Sequence, residues 1–133
     1  MRFMMLVKAN KDSEAGVLPD EKILSEMGKY NEELVKAGAL LAADGLQASS
    51  KGARVRYANG KFKVIDGPFA ETKELIAGYA ILQFTSKAEA IEWTKRFVLV
   101  DAPGRIGAES ECEIRPFFEL EDFGPREAVE RFH

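Results

Sequence analysis

Asp66-Gly67-Pro68 constrains this chain more than any other three residues, because a strand that enters it has to stop. Glycine takes up backbone angles closed to other residues, and proline lacks an amide hydrogen and restricts the residue before it. The chain therefore turns there. The residues that follow, Phe69-Ala70-Glu71-Thr72-Lys73-Glu74, lie on a loop between two apolar segments, the usual address of binding residues on a rigid scaffold. This reading predicts unusual φ at Gly67, and an Asp66 carboxylate that bonds local backbone amides as in an Asx-turn.

Around that turn the apolar pattern gives strand, helix, strand, hairpin, strand, helix, strand and tail. Phe3 to Val7 is a short apolar run suited to a strand buried on both faces. Pro19, Asp20 and Glu21 suit the first turn of a helix whose stripe is Ile23, Leu24, Met27, Leu34 and Val35, and Gly38 ends it. Ala39 to Ala43 is a second strand. Asn59-Gly60 between 54–58 and 61–65 is a type I′ hairpin signal that pairs Tyr57 with Phe62 and Val55 with Val64. A strand from Tyr79 to Thr85 is followed by a capping box at Ser86-Lys87-Ala88-Glu89 and a helix with Ala90, Ile91, Thr94, Phe97 and Val98 inward. Glu111 to Phe117 is the last strand; residues 1–118 form the domain and 119–133 a polar extension.

With the hairpin set aside, β-α-β-β-α-β is the ferredoxin-like α+β pattern, both helices covering one face of an antiparallel sheet. The other face needs cover, because Phe3-Met4-Met5-Leu6-Val7 and Tyr79-Ala80-Ile81-Leu82 are apolar on both sides. Either a second subunit or a ligand cavity covers it, and a homodimer joined sheet to sheet supplies that cover, with Phe3, Met5 or Tyr79 near the interface.

The nine residues Asp66 to Glu74, DGPFAETKE, resemble the signature of the DGPF branch of the YCII-related proteins at every position. The resemblance runs from Arg2 to about Phe117, through Asp44-Gly45-Leu46, Gly78-Tyr79 and Glu113-Ile114-Arg115-Pro116. It implies a small bacterial protein with a dimeric α+β-barrel fold and no settled activity. Members of the wider group have a proposed His–Asp site with the His on the first helix, and one type eliminates halide from a ring lactone. Residues 20–37 of this chain hold no histidine, so that mechanism does not carry over. Genes of the DGPF type also stand beside those of extracytoplasmic-function sigma factors, which implies a second role as a regulatory partner.

Composition removes several classes of function. A chain of 133 residues, 46% apolar, is one domain with a real core. Its net charge of −3, with both signs scattered, argues against nucleic acid as a partner. No apolar run reaches membrane-spanning length, and the first eight residues are too short for a signal peptide. A single cysteine, Cys112, leaves no intrachain disulfide and suits a reducing cytoplasm. His133 is the one histidine, which disfavours a catalytic triad within the chain and zinc ligation alike. Neither common phosphate-binding glycine loop is present, and no cofactor is expected.

What remains is acid–base or electrostatic chemistry from carboxylates, Lys, Arg and Tyr. Asp66, Glu71 and Lys73 are ligand-binding candidates; a purely structural loop is the competing reading. Arg115 joins them, since strand alternation sets it with Glu113 opposite Cys112, Ile114 and Pro116, facing the dimer side or the cavity, where it needs an anionic ligand or a carboxylate partner such as Asp66 or Glu71. Arg54, Arg56, Lys61 and Lys63 share one hairpin face, either an anion-binding ribbon or a charged edge. Tyr30 suits the core rim, and Trp93 lies off the helical stripe, packed under the extension or against a partner. The reading is a cytoplasmic homodimer that binds a small polar or anionic metabolite in a cleft, with acid–base turnover as one form of its activity. The alternative is a non-catalytic partner of the transcription machinery.

Overall fold

The structure is a computed structural model and describes residues 1–105 and 109–124; His133 and the extension beyond 124 lie outside the described residues. Among the described residues six strands and three α-helices follow in the order β1 (Arg2–Lys8), α1 (Lys11–Glu14), α2 (Glu21–Lys36), β2 (Leu40–Gly45), β3 (Ala53–Ala58), β4 (Lys61–Asp66), β5 (Ile76–Gln83), α3 (Lys87–Asp101) and β6 (Cys112–Pro116). Four strands form an antiparallel sheet in the order β2-β5-β1-β6, which is the ferredoxin-like arrangement with the hairpin inserted. The hairpin is a separate two-stranded sheet, β3-β4.

Alternation along β1 and β5 decides which face meets the helices. Phe3, Met5, Ala80 and Leu82 are buried, with Phe3 opposite Leu82 and Met5 opposite Ala80. From α2 comes the stripe Ile23, Met27, Tyr30 and Leu34, of which Met27 alone keeps some exposure. Leu24 and Val35, expected inward, point to water. Asp20 is the N-cap, its carboxylate accepting from the Ile23 amide, so Pro19 precedes the helix rather than opening it. Gly38 leaves the helix at φ +69, as an αL terminator does.

The aromatic centre of the core was only partly foreseeable. Trp93 stacks on Phe84 with ring centroids 6.3 Å apart and meets Tyr30 edge-on at 6.0 Å, so its ring joins the aromatic centre of the core. Tyr30 lies in the core itself, and its hydroxyl donates to the Trp93 carbonyl at 2.9 Å. Burial pushes its phenol well above the usual range. On α3, Ser86 caps the Glu89 amide, while Glu89 reaches back past the cap to the Thr85 amide and hydroxyl. Those hydrogen bonds hold its carboxyl below the usual value.

Two elements confirm local rules closely. Asn59 at φ 53 and Gly60 at φ 75 give the hairpin turn its two left-handed residues, and Tyr57 faces Phe62 while Val55 faces Val64. The short α1 carries a capping box between Asn10 and Ser13, unforeseen because four residues leave no periodicity to read.

Candidate functional site

The signature loop is held by contacts that account for several of its residues. A Cβ on Gly67 would overlap the Ser49 carbonyl oxygen and lie 2.6 Å from its carbon, so this position admits glycine because backbone approaches backbone. Its φ is not in the left-handed region, which corrects the expectation for Gly67. Gly67-Pro68 is cis. The Phe69 amide donates to Ser49 Oγ at 3.0 Å, and Ser49 in turn gives its amide and hydroxyl to the Glu14 carboxylate. The loop thus rests on a serine that α1 fixes.

Above this base, Arg54 lies 3.9 Å over the Phe69 ring and pairs with Glu71 at 3.7 Å. Both charged side chains remain about half exposed. Glu71 therefore belongs to the foot of the hairpin, with Arg54 as its partner. Asp66 ends β4 opposite Ala53 and is exposed; among the described residues its carboxylate has no hydrogen bond or ion pair, so the expected Asx-turn is not formed. Lys73 stands exposed in a single helical turn, Thr72–Glu74, also without an ion pair among the described residues.

Arg115 lies where alternation sets it, on the sheet face away from the helices, opposite Met4. Its side chain is 73% exposed and approaches Glu113 at 3.9 Å. No ion pair among the described residues joins it to Asp66 or Glu71, so its expected partner is replaced by its own strand neighbour. Phe3 and Met5, expected near an interface, are instead sealed under the helices.

The open face holds a second cluster. Register places Asp44, Tyr79, Leu6 and Glu113 in one row across the four strands, and Ala42, Ile81, Met4 and Arg115 in the next. The rows therefore have an apolar floor, Met4, Leu6 and Ile81, with polar groups at both flanks. On one flank the Tyr79 hydroxyl donates to Asp44 Oδ2 at 3.2 Å. That hydrogen bond, with the carboxylate charge, raises the phenol pKa and keeps its proton in place. On the other flank Lys8 Nζ lies 3.4 Å from Glu113, which links it to Arg115. With strands about 4.8 Å apart, Tyr79 and Glu113 stand about 10 Å from each other, room for a small molecule on the floor. Sequence reading noted Asp44 and Tyr79 without joining them, because the pair arises from β2–β5 register.

A cavity of about 530 Å³ lies elsewhere, between α3 and β6, lined chiefly by Ile91, Thr94, Val98, Leu99, Cys112 and Ile114. None of the four candidates reaches it. Burial pushes its thiol, Cys112, up to about 12, which makes it a poor nucleophile. Near it Asp101 is buried and satisfied by Arg105 Nε and Ser110 Oγ, both at 2.6 Å.

Among the described residues no His, Cys, Asp and Glu gather as a metal site, and no helix is long and apolar enough to cross a membrane. The YCII-related domain matches residues 1–118. An uncharacterised protein of Rhizobium meliloti (strain 1021) is 32% identical over 97 residues, which cover 73% of this chain and 74% of that protein.

Proposed function

The chain belongs to the YCII-related family, and from that premise we propose that it works as a homodimer binding a small polar or anionic metabolite over the open face of its sheet. The observation that carries this reading is the open face itself, where an apolar floor lies between a Tyr–Asp pair and an exposed arginine. Two such faces brought together form a dimeric α+β barrel with the ligand space between them. Arg115, with one weak internal contact, offers its guanidinium to an anion. The Tyr79 hydroxyl, held by its hydrogen bond to Asp44, is the group that gives a proton to the ligand in any turnover, and Asp44 the carboxylate that takes one from it.

Asp66 and Lys73, exposed and not engaged internally among the described residues, serve as further ligand contacts, whereas Glu71 orders the loop through Arg54. The nine-residue match supports membership of the DGPF branch, and the single unpaired cysteine supports a cytoplasmic location.

Thermal shift against a panel of small carboxylates and phosphates tests the binding. Stabilisation that vanishes in Arg115→Ala is expected; stabilisation equal in wild type and variant removes Arg115 from the site. One observation favours the alternative of a non-catalytic transcription partner: the apolar α3–β6 cavity holds no candidate residue and suits a protein side chain. Co-sedimentation with a purified extracytoplasmic-function sigma factor decides that reading.

A further inference from the structure

The β3–β4 hairpin exposes a face that none of the described residues covers. Val55, Tyr57, Phe62 and Val64 are 65–76% exposed, and they are mutual neighbours, since Val55 faces Val64 and Tyr57 faces Phe62. The two rings lie 5.1 Å apart and together expose on the order of 300 Å². The strands belong to a sheet of their own, and a lone two-stranded hairpin is marginal in water. Its base is nonetheless fixed, by Gly67 N to Gly52 O at 3.1 Å and by Arg54 between Phe69 and Glu71. The result is an anchored arm with an uncovered apolar face.

We propose that this hairpin is a dimerisation arm whose apolar face packs on a second copy of the same chain. The proposal rests on the dimer reading and extends it, because the apolar floor of the open sheet face is narrow. A stable interface buries about 800 Å² per partner, and the floor of that face is three side chains already half-buried. The arm adds the missing apolar area. Arg56, Lys61 and Lys63 lie on the other face of the ribbon without an ion pair among the described residues, so that face stays in water and the apolar face is the one that docks. A second copy offers it apolar surface of the same kind.

Sedimentation velocity over a dilution series from about 0.1 to 100 µM tests the arm on four proteins. These are wild type, Tyr57→Thr/Phe62→Thr, the nearly isosteric Val55→Thr/Val64→Thr, and Leu6→Lys on the open sheet face. Threonine keeps strand propensity, so circular dichroism of the hairpin variants stays unchanged. The expected result is a wild-type dimer whose dissociation constant rises at least tenfold in both hairpin variants. A dimer that Leu6→Lys dissociates and the hairpin variants leave as tight as wild type overturns the arm, assigns its face to another occupant and leaves the sheet-to-sheet dimer standing. A wild type monomeric at 100 µM overturns both.

Discussion

Gly67 and Ser49 approach each other through their backbones, and the Ser49 carbonyl fills the space a side chain at position 67 would occupy. The signature loop is thus in part a packing device. Its glycine admits close approach, its Phe69 amide engages Ser49 Oγ, and its Glu71 engages Arg54. Gly67→Ala is expected to destabilise the fold by about 2–3 kcal/mol, because the carbonyl is backbone and has little room to yield. Asp66→Asn, at an exposed carboxylate without a partner, changes stability by less than about 0.5 kcal/mol. Urea unfolding of the two variants checks this, and equal losses refute the packing role.

Gly67 also shows where sequence reading reaches its limit. That a turn occurs there follows from Gly and Pro chemistry, which is local. The reason for glycine is a contact with a residue 18 positions away, which no local rule contains. The hairpin register was legible because two residues, Asn59 and Gly60, fix it within the turn. By contrast, the faces of β1 were not: Phe3-Met4-Met5-Leu6-Val7 is apolar throughout, and a period of two has no phase in a uniform run. Met4 and Leu6 took the open face and Phe3 and Met5 the core. Trp93 escaped the α3 stripe for a related reason, since a large ring reaches the core from the flank, where it stacks on Phe84. Asp44 and Tyr79 lie 35 residues apart and meet only through strand pairing.

Two ion pairs of similar composition should behave very differently. Arg96 and Glu33 pair on the surface, each about half exposed, whereas Asp101 and Arg105 are 8% and 13% exposed. Arg96→Ala is expected to cost less than about 1 kcal/mol, with some of that from lost contact with the Trp93 ring. Arg105→Ala removes the guanidinium from the buried Asp101 carboxylate, leaving Ser110 as its side-chain partner among the described residues, and is expected to cost about 3 kcal/mol. Chemical denaturation at low and high salt checks both, the surface pair alone showing salt sensitivity.

Alkaline pH should loosen the fold through Tyr30 and Cys112. Burial is the leading cause of both shifts, and it favours the neutral forms. Each group binds its proton more tightly folded than unfolded. Stability is therefore full below the unfolded values, near 9.0 for the thiol and 10.0 for the phenol, and falls as pH rises through the folded ones. For Cys112 the window runs from about 9 to about 12. Urea midpoints are expected to drop across it, with a shallower drop in Cys112→Ala. A thiol reagent at pH 8 should label native protein slowly and unfolded protein quickly.

Arg115 and Tyr79 separate binding from turnover on the open face. Arg115 is 73% exposed and meets one carboxylate at 3.9 Å, so Arg115→Ala is expected to shift stability by less than about 0.5 kcal/mol. Loss of an anion's main charged contact, by contrast, should weaken binding by roughly 10-fold or more, since a charge-assisted hydrogen bond contributes about 1.5–3 kcal/mol. Tyr79→Phe keeps the ring on the apolar floor and removes the hydroxyl that Asp44 accepts. If the pair moves a proton in a reaction, this variant binds ligand with near wild-type affinity and loses turnover by roughly 100-fold or more, the scale of a positioned acid or base. Titration and rate measurements on both variants, with any ligand that stabilises the wild type, distinguish the roles. A Tyr79→Phe protein with unchanged turnover would leave Asp44 and Tyr79 a structural pair bridging β2 and β5.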